Sequence, residues 1–262
     1  MLGDGKWLIG MVHLLPLPGS PRFQGDLDEI FSAAVADARR LEEGGADAII
    51  VENFGDVPYL PGRVPVESLV VMAQVAYAVR KAVDLPMGIN VQFNAWREEI
   101  ALAKSVGARF VRLEAYVDNV LTDAGIVEAC SGDASRYRRA IGADNVQFFA
   151  DVLVKETIPL GDRGIAEAVK AACRNLADAV IVTGAATGSA TPIDAIREAR
   201  RATDCPLLVG SGVTPDSLPI ILPLVDGVIV GSALKFNGVV ENRVDIERVR
   251  RMAEIVHSYA GA

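Results

Sequence analysis

Eight short apolar runs punctuate the chain without polar alternation: Trp7–Val12, Ala48–Val51, Met87–Val91, Phe110–Leu113, Val146–Val152, Ala179–Val182, Leu207–Val209 and Gly227–Val230. Continuous runs of this kind suit parallel strands buried on both faces, whereas strands with one wet face alternate. Helical patterns lie between them. Asp26 is placed to cap a helix over Leu27–Glu43, which Gly44-Gly45 ends. Pro65 opens a second helix that runs to Val83, and Pro192 opens one over Ile193–Ala202, at a position where proline's missing N–H costs nothing. Further helices are predicted over Ala95–Val106, Ile165–Leu176, Pro215–Leu222 and Asp245–Tyr259. The steps Gly45–Asp47, Gly107–Arg109 and Leu176–Asp178 precede strands in a recurring way that marks repeated βα units. The pattern therefore predicts an α/β chain forming a single (β/α)8 TIM barrel over residues 1–262. A doubly wound open sheet is the competing arrangement. One connection is long. Residues 116–145 follow the fourth strand, carry short helical stretches at Gly125–Ala129 and Ala134–Ile141, and are placed to cover the barrel mouth.

Composition narrows the function class. At 262 residues and 51% hydrophobic, the chain matches the ~250 residues such barrels need. A net charge of −8 argues against nucleic acid as a partner and against direct binding to anionic lipid. Cys130, Cys173 and Cys205 are odd in number and scattered, with no disulfide framework or zinc spacing. That predicts unpaired thiols in a reducing, cytoplasmic setting. The opening apolar run is too short for a signal peptide core, and Gln74 interrupts the longest apolar stretch, Ser68–Val79. No integral membrane segment, exposed apolar helix or basic membrane patch is expected.

In such barrels chemistry sits on loops after the strands, at the C-terminal rim. The strongest signal is glycine after the last three strands: Thr183-Gly184 with Gly188, then Gly210-Ser211-Gly212, then Gly231-Ser232. Glycine lets main-chain N–H groups reach an anion, and barrels often hold phosphate after strands seven and eight. Gly184, Gly188, Ser211, Gly212, Gly231 and Ser232 are thus candidate phosphate ligands; tight turns with no ligand are the plain alternative. Glu52, Glu114 and Asp151 form an acidic set whose burial is costly unless paired or used. With His13 and Lys155 they are candidate catalytic groups, and Asn53, Asn90, Arg112 and Thr183 are candidate substrate contacts. Glu52 and Asp151 are also the carboxylates that would bind Mg²⁺ or Mn²⁺. A charge network bracing the rim explains the same residues without chemistry. The side chain of Lys155 is expected to point at solvent, and His257 is expected on the wet face of the last helix.

The sequence resembles the BtpA/SgcQ family over most of its length. The matching pieces are Met11-Val-His-Leu with Pro16-Leu-Pro-Gly-Ser-Pro, Gly45-Ala-Asp-Ala-Ile-Ile-Val-Glu-Asn53, Gly55-Asp and Gly88-Ile-Asn-Val. Thr122-Asp-Ala-Gly-Ile, Phe149-Ala-Asp-Val-Leu-Val-Lys155, Val182-Thr-Gly-Ala-Ala-Thr-Gly188, Ser211-Gly and Asp226-Gly-Val-Ile-Val-Gly231 continue it. The resemblance implies a ribulose-phosphate-binding type of barrel. It also implies two associations: photosystem I biogenesis in cyanobacteria, as an extrinsic membrane-associated factor, and sugar-metabolism gene neighbourhoods elsewhere. It carries over no catalytic residue. The chain departs from the family at Val111-Arg-Leu-Glu-Ala-Tyr-Val, where Glu114 replaces the usual Asn. Two functions follow as expectations: an enzyme acting on a phosphorylated small molecule, or a non-catalytic assembly factor that engages a partner protein. Self-association through helix faces is a further expectation.

Overall fold

The computed structural model describes residues 5–184 and 190–259. Eight parallel strands close a ring: β1 (Trp7–His13), β2 (Ala48–Glu52), β3 (Met87–Asn90), β4 (Phe110–Leu113), β7 (Gln147–Val152), β9 (Ala179–Val182), β10 (Leu207–Val209) and β11 (Gly227–Val230). The ring shuts where β1 pairs with both β2 and β11. Around it lie α1 (Leu27–Glu43), α2 (Val66–Ala82), α3 (Trp96–Val106), α4 (Ser131–Ala140), α5 (Ile165–Arg174), α6 (Ile193–Ala202), α7 (Leu218–Ile221) and α8 (Ile246–Ser258). This is the TIM barrel that the apolar runs predict.

The runs are mostly apolar because both strand faces are dry. One face fills the barrel with Ile9, Met11, Ile50, Phe110, Phe149 and Ile229, among others, while Leu8, Val12, Ile49 and Val51 meet the helices. Phe110 and Phe149 stack at 4.3 Å inside the ring. Gly88 makes room for them: a Cβ there would lie 2.3 Å from the Phe110 ring. The recurring junction aspartates also have a physical reason. Asp47, Asp178 and Asp226 each accept, at 2.8 Å, an N–H of the first or second residue of the preceding barrel strand, from Leu8, Phe148 and Leu207. They close the bottom of the barrel, the face associated with stability and not with chemistry.

Four expectations need correction. Gly125–Ala129 is not helical: β5 (Val120–Thr122) and β6 (Gly125–Val127) form a hairpin that β8 (Ile158–Pro159) extends. The local period is two, with Val120 and Val127 buried and Leu121 and Ile126 exposed, and Gly125 turns at φ +122°. The predicted Pro215–Leu222 helix shrinks to α7 and a 3₁₀ turn over Leu222–Leu224, broken up by Pro219 and Pro223. Cys173 and Cys205 are disulfide-bonded, since the ring brings the end of α5 beside the approach to β10. Only Cys130 is a free thiol, and it is buried. Finally, α2 does present an apolar outer face, with Val66, Val70 and Tyr77 exposed. Among the described residues, no helix is long and apolar enough to cross a membrane.

Candidate active site

Strand register brings the predicted residues together. His13 lies opposite Glu52, and Glu52 opposite Asn90, so the ends of β1, β2 and β3 present three polar groups side by side. Arg112 on β4 and Asp151 on β7 complete the arc. The Arg112 Nε and Nη2 donate to the two Asp151 oxygens at 2.8 and 3.0 Å, a bidentate pair buried on both sides. Burial works against the Arg112 charge, but Asp151 outweighs it and raises the guanidinium pKa. Both Asp151 oxygens are thereby engaged.

Glu114, just past β4, accepts from Asn90 Nδ2 at 2.6 Å and from the Asn94 N–H at 2.9 Å. Burial pushes its pKa up to about 8 in spite of the Asn90 hydrogen bond. A carboxyl so placed holds its proton at neutral pH. Glu52 is also raised, by burial first, against the pull of Arg112 and Lys155. His13 is lowered well below its usual value, by burial and then by Lys235 and Lys155. Its Nε2 lies 4.0 Å from Glu52 Oε1, and a neutral imidazole makes this a polar contact and not an ion pair.

Lys155 does not point at solvent. It lines the mouth with Arg112 and Glu52, and burial, then Arg112, lowers its pKa. Its main-chain N–H donates to Thr183 Oγ1 at 3.1 Å, which gives that hydroxyl a bracing part. The Asn53 amide is likewise occupied: Oδ1 accepts from the Gln92 N–H and Nδ2 donates to Asp56, which in turn accepts from the Leu17 N–H. Lys235, close behind the last strand, is buried against Asp37 at 3.1 Å and ties α1 to the end of the ring. His257 sits 3.0 Å from Asp47 on the outer surface.

The glycine turns lie where the sequence put them. Gly210, Ser211, Gly212, Gly231 and Ser232 border the same cavity as His13, Glu52, Arg112 and Lys155. A Cβ at Gly210 would approach Arg112 Nη2 to 3.2 Å, and one at Gly231 would approach His13 to 3.0 Å. Gly212 holds φ +66°, a left-handed conformation that costs glycine nothing. The Gly184 N–H donates to Ser211 Oγ at 2.8 Å, linking two of the turns. Gly188 lies outside the described residues.

Two participants escaped the sequence reading. Phe54 stacks on His13 at 4.3 Å and borders the whole mouth. Glu99 on α3 accepts the Arg112 N–H at 2.9 Å, and burial, then Glu114, raises its pKa strongly. A carboxylate within the apolar stripe Glu99–Leu102–Ala103–Val106 was the available signal for it.

The BtpA family model matches residues 4–258. The chain belongs to the BtpA family. An uncharacterized protein of Thermococcus kodakarensis is 41% identical over 96% of this chain and 95% of its own. The photosystem I biogenesis protein BtpA of Synechocystis is 38% identical over 94% of this chain and 86% of its own length. Two solved structures share the barrel. Thiamine phosphate pyrophosphorylase from Pyrococcus furiosus has a TM-score of 0.62 at 17% identity, covering 98% of this chain and 97% of that one. A 3-hexulose-6-phosphate synthase has a TM-score of 0.61 at 16% identity, covering 95% and 99%. At these identities the BtpA-family chain shares their fold alone.

Proposed function

We propose that this barrel is an enzyme acting on a phosphorylated sugar or related small metabolite, with the phosphate held by the turns after β10 and β11. One observation carries the reading: the Gly210–Gly212 and Gly231–Ser232 turns border the same cavity as His13, Glu52, Arg112 and Lys155. Main-chain N–H groups and two cations then face one anion. The names of two structural neighbours, a thiamine phosphate pyrophosphorylase and a 3-hexulose-6-phosphate synthase, point the same way.

The roles follow from protonation. Arg112, held by Asp151, binds and orients the anion, and Asp151 acts through it. Glu114, protonated at neutral pH, is the acid, and neutral His13 beside Glu52 is the base. Lys155 neutralises ligand charge. Asn90 positions Glu114, while Asn53 and Thr183 fix the loops. Among the described residues no group of three or more His, Cys, Asp or Glu is spaced to hold a metal ion, and Arg112 occupies Asp151.

A thermal-shift screen of phosphorylated sugars, with and without Mg²⁺ or Mn²⁺, tests the reading. Stabilisation by at least one sugar phosphate over its unphosphorylated parent is the expected result. The absence of any such difference across the screen counts against it.

A second reading, a non-catalytic assembly factor, has one observation in its favour. Leu121, Ile126 and Ile158 pair across the hairpin sheet and form one exposed apolar row. Against it, the 116–145 segment does not fill the mouth: Thr122, Asp123 and Ala124 border a cavity of about 430 Å³. Self-association, as a proposal, belongs to the exposed Val66, Val70 and Tyr77 of α2.

A further inference from the structure

We infer that the ligand is a phosphate ester with a planar aromatic or heteroaromatic ring at its far end, seated in the wide outer half of the mouth. This rests on the phosphate reading above. The mouth has two unequal halves that share Glu52, Phe54, Arg112 and Lys155. The half against the glycine turns is narrow, about 40 Å³, and takes little beyond the anion and its first atoms. The outer half is about 430 Å³, within the ~300–1,000 Å³ of pockets that house whole small-molecule ligands. A short polyol phosphate leaves most of it empty.

The walls of that half decide the chemistry. Phe54, Val57, Pro58, Tyr59, Phe93 and Val154 are among the residues that line it. Sugar hydroxyls set against them would lose water and gain no partner. A ring face loses nothing there and gains stacking. The aromatic walls are also held in place. Tyr59 spends its hydroxyl on the Phe54 carbonyl at 2.8 Å, Phe54 lies on His13, and Phe93 packs against the cluster of Val120, Val127 and Val154. Gln92, Glu114 and Asp123 border the same space, so a ring with hydrogen-bonding edges is favoured over a bare hydrocarbon.

Calorimetry with six probes tests this: inorganic phosphate, ribose 5-phosphate, UMP, AMP and the two free nucleosides as a control pair. UMP or AMP should bind at least ten-fold more tightly than ribose 5-phosphate. Tyr59→Ala should cut that advantage to within two-fold; Tyr59→Leu serves if the alanine variant does not fold. If ribose 5-phosphate binds and neither ring-bearing ester binds more tightly, the ring inference is overturned and the phosphate reading stands. If neither inorganic phosphate nor any ester binds, both are overturned. Nucleosides that bind as tightly as their monophosphates overturn the claim that ring and phosphate belong to one ligand.

Discussion

Arg112 and Asp151 illustrate how far single residues could be read from sequence. Both were legible as strand-end charges, but their mutual engagement was not, because side-chain pairing across β4 and β7 depends on register that the apolar runs leave open. The pair is buried, so removing one charge strands the other. Asp151→Asn should lower unfolding free energy by ~3 kcal/mol in urea melts and abolish turnover of any substrate found; full activity in the variant would remove Asp151 from the site. Glu114 makes a prediction in pH. Its folded pKa of about 8 lies above the ordinary 4.5. The stability it contributes is therefore complete below about pH 4.5 and is lost as pH rises through 8. Glu114→Gln removes that dependence while the raised Glu52 and Glu99 and the lowered His13 stay in both proteins. The melting temperature of the variant minus that of the parent should then climb between pH 5 and pH 8. A flat difference would show that Glu114 titrates normally.

At the scale of elements, the eight barrel strands and α1, α2, α3 and α6 were legible to within a residue or two, since burial on both faces or along one stripe writes itself into composition. The β5–β6 hairpin was not. It is only three residues a side, too short for alternation to stand out against a helical pattern, and Gly125 reads equally well as a helix breaker. The 173–205 disulfide was illegible because odd, scattered cysteines carry no pairing information. Asp47 and Asp178 were seen as parts of a repeated junction, and the structure supplies the reason. Asp178→Ala leaves the Phe148 N–H and Arg138 without their carboxylate, and should cost about 1–2 kcal/mol in urea unfolding with ligand affinity unchanged. A loss of affinity at constant stability would place the bottom of the barrel in communication with the mouth.

Taken as a whole molecule, the barrel separates its tasks by end. Aspartates staple the closed bottom, while the open top gathers carboxyls of raised pKa, a neutral histidine, two cations and two glycine turns around one cavity. Such clustering of perturbed groups in a cleft is what a reactive site requires. The central claim is that the turns after β10 and β11 receive a phosphate, and Gly212 is the place to test it. Calorimetric titration of ribose 5-phosphate should be run in parallel on the parent chain, Gly212→Asn and Gly212→Asp. Both substitutions share the left-handed backbone at φ +66°, but only aspartate adds negative charge. The parent should bind, the asparagine variant should bind more weakly, and the folded aspartate variant should not bind at all. Equal affinity in all three would contradict the account.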